Sequence, residues 1–144
     1  MPRVTLTPLT PELIAALNRR GGRRSRADDD RPIDALCQQL KYSGVPDPVA
    51  EYRFCERRFR FDLAWPEWKI AVEIEGLVYS NAGDNQLRGR HVSVTGFKRD
   101  LEKYRAAFVL GYFLLRCSSA DARSGVVCNA IVEHMRARGL VKGS

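Results

Sequence analysis

The sequence has no long apolar run. Its hydrophobic stretches break after a few residues, so none of it reads as a membrane span. Its first residues, MPRVTLTPLTPEL, lack the apolar core of a secretory signal, and a cytoplasmic location is the expectation. Cysteine is sparse and poorly spaced for metal. Cys37, Cys55, Cys117 and Cys128 form no C-x-x-C pair, and the two histidines, His91 and His134, fall at no familiar zinc spacing. The thiols are therefore expected to be reduced and mostly buried. There is no internal repeat. Acid is in the minority: 17 Asp and Glu face 24 Lys and Arg, a formal charge of +7. That excess favours a polyanionic partner such as nucleic acid, although a basic surface serves solubility equally well.

What is present suits one domain. The 144 residues suffice for a core without staples, and the 44% hydrophobic content is ordinary for a globular chain. Residues 11–20 place Leu13, Ile14 and Leu17 at helical spacing, with Thr10 as cap and Pro11 at the first helical position. A glycine-broken charge run follows, with arginines on both sides of Gly21-Gly22 and then Asp28-Asp29-Asp30. It reads as a loop, serving either as a basic arm on a phosphate backbone or as a solvated linker. The expected division is thus an N-terminal helix and charged segment over 1–30, then a main domain over 31–144.

In that domain a helix is expected over 32–42, with Ile33, Leu36, Cys37 and Leu40 as its apolar stripe. The centre is β. After a short strand at 51–54, residues 57–65 alternate, Phe59, Phe61 and Leu63 against Arg58, Arg60, Asp62 and Ala64. Residues 68–75 alternate again, Ile70, Val72 and Ile74 against Ala71, Glu73 and Glu75. A long polar stretch spans 76–96. A helix over 97–110 follows, with Phe97, Leu101, Tyr104 and Phe108 as the buried stripe. A strand over 112–116 and a last helix over 120–138, with Val126, Val127, Ile131 and Met135 inward, complete the chain. This order predicts an α/β domain, a mixed central sheet flanked by helices.

The acids of the β region carry the chemistry. If Pro66-Glu67 is a two-residue turn, Trp65 pairs with Trp68, Asp62 lies opposite Ala71, and Glu73 is its diagonal neighbour on one face. Glu75 follows on that face. Three crowded carboxylates raise one another's pKa unless a cation intervenes. A hard divalent ion such as Mg²⁺ prefers oxygen ligands of this kind. The same pattern also fits a solvent-facing strand whose acids pair with Arg58 and Arg60.

Phe61-Asp62, ten residues, then Glu73-Ile74-Glu75 resembles the PD-(D/E)XK nuclease superfamily. More narrowly, Arg60-Phe61-Asp62-Leu63-Ala64-Trp65-Pro66-Glu67 followed by Ala71-Val72-Glu73-Ile74-Glu75-Gly76 resembles small phage and bacterial endonuclease-like proteins. Those proteins are related to very-short-patch repair endonucleases. The likeness continues through Gly89-Arg90-His91, Gly96-Phe97, Asp100, Lys103-Tyr104, Leu110-Gly111-Tyr112 and Leu114-Leu115-Arg116, about residues 45–118. It implies a metal-dependent DNA endonuclease, a phosphodiester hydrolase using Mg²⁺ or Mn²⁺. Asp62 and Glu73 would be metal ligands, joined by the carbonyl of Ile74, with Glu51 as a weak further candidate.

Two positions depart from the pattern. Phe61 stands where the motif has proline, and Glu75 where it has the lysine that orients or activates water. Candidates to replace that lysine are Lys103, three residues from Asp100 on the expected helix, His91 in the loop, and Glu75 itself as a second-ion ligand or proton acceptor. Arg58, Arg60, Arg88 and Arg90 are candidate phosphate contacts. Two other readings stand beside this one. A junction- or branch-selective nuclease would act as a homodimer on two-fold substrates. A catalytically degenerate module would bind DNA and cleave nothing.

Overall fold

The computed structural model describes residues 31–76 and 94–142, the backbone of 78–79 and 87–88, and residues 10, 12, 13 and 16. Within the first expected helix, residues 12, 13 and 16 are helical; the charge run and residues 89–93 lie outside the described residues. The chain divides into two compact units. One joins Met1–Pro48 with Ala120–Ser144, and the other is Val49–Ser119.

The first unit is helical. Its described elements are α1 (Pro32–Tyr42), α3 (Ser119–Ser124, all but its first residue) and α4 (Val126–Ala137). Proline suits the first turn of α1, where its missing N–H leaves nothing unpaired, and Asp34 complements the helix dipole while binding the Arg31 guanidinium at 2.9 Å. Leu36 and Leu40 of α1 are buried, as are Val127, Cys128, Ile131, Val132 and Met135 of α4. Two polar side chains reach into this core: Gln39 Nε2 donates to the Arg123 carbonyl at 2.9 Å while its Oε1 is buried without a hydrogen-bond partner among the described residues, and Ser43 Oγ lies 3.5 Å from Cys128 Sγ. Burial pushes the Cys128 thiol pKa up. All four cysteines are free thiols, Cys117 and Cys128 buried. The single helix expected over 120–138 is broken at Gly125, which sits at φ 91, and Val126, expected inward, is exposed.

The second unit is α/β. Its mixed sheet has the order β1-β2-β3-β6, where β1 is Val49–Arg53, β2 Arg60–Trp65, β3 Ile70–Glu75 and β6 Phe113–Ser118. The β1–β2 and β2–β3 pairs are antiparallel, and β3–β6 is parallel. Two short strands, β4 (Val78–Tyr79) and β5 (Leu87–Arg88), pair separately. Helix α2 (Val94–Val109) makes the crossover that a parallel pair requires. Gly111, at φ 80, lets the chain leave α2 sharply. Its N–H bonds the Phe108 carbonyl, and the Tyr112 N–H bonds the Ala107 carbonyl, both at 3.0 Å. No helix among the described residues is long and apolar enough to cross a membrane.

Two expectations fail here, for identifiable reasons. The β2–β3 connector is not a two-residue turn. Trp65 pairs with Ile70, and Pro66–Trp68 forms a single 3-10 turn closed by Lys69 at φ 56. Proline explains this, because two-residue hairpin turns need positive φ at their first central residue and Pro66 is held near −65°. The register moves by two residues, so Asp62 faces Glu73 instead of Ala71.

Helix α2 is also rotated relative to the expected stripe. Phe97, Leu101 and Phe108 are exposed, Phe108 by 82%, whereas Ala107 is buried at 1%. The face turned to the sheet is Asp100, Lys103, Tyr104 and Ala107, a helical repeat of polar and small residues. Ala107 meets Ala64 and Ala71 in a core completed by Phe54, Phe59 and Phe61. The rings of Phe54 and Phe61 stack at 3.9 Å. Three alanines let the helix backbone approach closely, and the acids of β3 then draw its polar flank inward.

Candidate active site

Asp62 and Glu73 come from neighbouring strands, and the corrected register sets them side by side. The backbone ladder between β2 and β3 is recorded from Trp65 to Leu63. Just beyond it, the Ile74 N–H donates to Asp62 Oδ2 at 2.7 Å. A side-chain carboxylate thus takes an amide that a strand carbonyl would otherwise satisfy. Asp62 is fixed by the fold at the point where the two strands stop pairing.

Glu73 is nearly enclosed, its side chain 13% exposed. Burial raises its carboxyl pKa from 4.5 to about 7, with Asp62 and Glu75 pushing the same way and Lys103 opposing. The Lys103 ammonium, itself 15% exposed, lies 2.5 Å from Glu73 Oε1 and 5.9 Å from the centre of the Phe61 ring. The polar flank of α2 therefore delivers a cation to the acid, as the sequence allowed only if that flank faced the sheet.

These three residues line a pocket of about 390 Å³ together with Glu51, Arg58, Arg60, Ile74, Gly96, Arg99 and Asp100. Four acids and four bases line one opening. Glu51, at φ 50, holds a backbone conformation uncommon for a residue with a side chain. Arg99 escaped the sequence reading. Its signal was its position one turn before Lys103, on the same helical flank.

Glu75 is placed differently. Its Oε1 accepts from the Tyr104 hydroxyl at 2.9 Å and from Arg116 Nε at 2.7 Å, with Arg116 Nη2 at 2.6 Å. The Arg116 guanidinium also lies 4.3 Å from the Tyr104 ring centre. Burial and the hydrogen bond to Glu75 push the Tyr104 hydroxyl well above its usual range. Neither Tyr104 nor Arg116 was among the expected site residues. Arg88 is described only as backbone of β5, and Arg90 and His91 lie outside the described residues.

The donors suit an oxygen-seeking divalent cation. Two carboxylates stand on adjacent strands, with one oxygen of each held by a hydrogen bond. Among the described residues no group of three or more His, Cys, Asp or Glu is arranged to hold a metal. The residues that could hold such a cation are thus Asp62 and Glu73, a pair that would leave Mg²⁺ to complete its shell with water and phosphate oxygens. Compared with family models, curated proteins and solved structures, the chain finds no match.

Proposed function

We propose that this chain is a metal-dependent DNA endonuclease of the PD-(D/E)XK type, hydrolysing phosphodiester bonds with Mg²⁺ or Mn²⁺. The observation that carries this reading is the meeting of Asp62, Glu73 and Lys103 in one pocket. The ordered sequence resemblance and the basic rim support it. Asp62 and Glu73 would hold the ion, which when bound supplies Lewis-acid polarisation of the scissile phosphate. Lys103 would take the role of the motif lysine that position 75 lacks. It would balance Glu73 and orient the attacking water, whose oxygen bonds to phosphorus as the P–O bond to the leaving alkoxide breaks, the proton released by the water passing through solvent to that leaving oxygen. Arg58, Arg60 and Arg99 line the same opening and hold neighbouring phosphates through charge-assisted hydrogen bonds.

The test uses labelled linear duplex, single-stranded, nicked and four-way-junction DNA with Mg²⁺, Mn²⁺ or EDTA, beside an Asp62→Asn/Glu73→Gln variant. Cleavage that needs the ion and disappears in the variant supports the proposal, and the substrate preferred separates a duplex enzyme from a branch-selective one. Binding without cleavage in every condition overturns it in favour of a DNA-binding module.

A further inference from the structure

Glu75 stands where the resemblance calls for a lysine, and its surroundings show what an acid does there. In the parallel β3–β6 pair, the register partner of Arg116 is Glu73, not Glu75. The guanidinium nevertheless reaches past Glu73 and binds Glu75 through two nitrogens. Tyr104, the residue after Lys103 on α2, donates its hydroxyl to the same Glu75 oxygen. Arginine pairs with carboxylate more tightly than lysine does, through a planar fork. An unengaged Arg116 beside Glu73 would compete with Lys103 for that carboxylate.

We infer that Glu75 is a positioning residue: it draws Arg116 away from Glu73 and seats Tyr104, so that Lys103 keeps its place on Glu73. This rests on the proposed catalytic use of Glu73 and Lys103. It replaces a role for Glu75 as ion ligand or proton acceptor. The cation on Glu73 then comes from the helix, and the acid at the strand position keeps Arg116 occupied.

The experiment compares wild type, Glu75→Gln and Glu75→Gln/Arg116→Gln in two measurements. The first needs no activity: the ¹⁵N resonance of the Lys103 ammonium in metal-free protein, which a firm bond to Glu73 protects from exchange. It is expected in wild type, lost in Glu75→Gln and recovered in the double variant. The second is cleavage, where kcat falls roughly tenfold to a hundredfold in Glu75→Gln, the size of a misplaced catalytic group. The half-saturating Mg²⁺ concentration stays unchanged, and the second substitution restores most of the rate. A Lys103 resonance unchanged in Glu75→Gln overturns the inference. So does a raised Mg²⁺ requirement that Arg116→Gln fails to relieve, the mark of a direct ligand. If wild type cleaves nothing, the nuclease reading falls, and the ammonium resonance still decides the role of Glu75.

Discussion

Glu73 joins burial, charge and chemistry in one side chain. Its carboxyl pKa is about 7 in the folded chain against 4.5 for an ordinary glutamate, so the folded state holds its proton more tightly. The stability this brings is complete below pH 4.5 and lost as the pH rises through 7, an effect on the order of 3 kcal/mol. Chemical denaturation in EDTA should therefore show the wild type weakening between pH 5 and 8, with Glu73→Gln nearly free of that slope. Mg²⁺ should restore stability most at the alkaline end, where the carboxylate is ionised. Lys103→Met removes the opposing ammonium. It should lower kcat by about 10² or more, shift the loss of stability to still higher pH, and leave DNA affinity near wild type in a filter-binding assay. The acids themselves were legible in the sequence, because their alternation along two strands needed only period-two reading. The role of Glu75 was not. Its partners Tyr104 and Arg116 lie 29 and 41 positions away, and only the crossover brings them together.

The β2–β3 connector and helix α2 show how an element can be recognised and still be misplaced. Both strands were visible as alternation, yet register depends on the connector. There the fixed φ of Pro66 was a signal that favoured a longer turn. Helix α2 was visible through its period, but periodicity alone could not choose between two flanks. The apolar stripe suggested burial, whereas the sheet beneath presents alanines and charged residues. Substitutions distinguish these faces. Phe108→Ser, at an exposed site, should change unfolding free energy by less than about 0.5 kcal/mol. Ala107→Leu should cost about 1–3 kcal/mol, since extra volume forces the helix off Ala64 and Ala71. The same substitution should lower cleavage by moving Lys103 away from Glu73. Urea titrations of the two variants check the ranking.

For the whole molecule, the α/β class followed from the order of elements, and the sheet unit Val49–Ser119 contains every described residue of the site. The division into two units was not legible, because Met1–Pro48 groups with Ala120–Ser144 across the length of the chain. If the proposed function holds, the net charge of +7 and the arginine rim would make binding to DNA a salt-dependent equilibrium. Each neutralised phosphate contributes about −0.9 to the slope of log K against log salt. Replacing Arg58, Arg60 and Arg99 together by Gln should flatten that slope by up to about three in a fluorescence titration, and an unchanged slope would remove these residues from the interface. Asp62 ties fold and site together in one further way. Its carboxylate satisfies the Ile74 amide, and leaving such a group unpaired costs about 1–3 kcal/mol. Position 62 thus answers to two selections. A library of variants there, sorted for folded protein, should retain Asp and Asn, since both offer an oxygen to that amide. Sorted for cleavage, it should retain Asp alone. The difference between the surviving sets reads out the chemistry with the architecture subtracted.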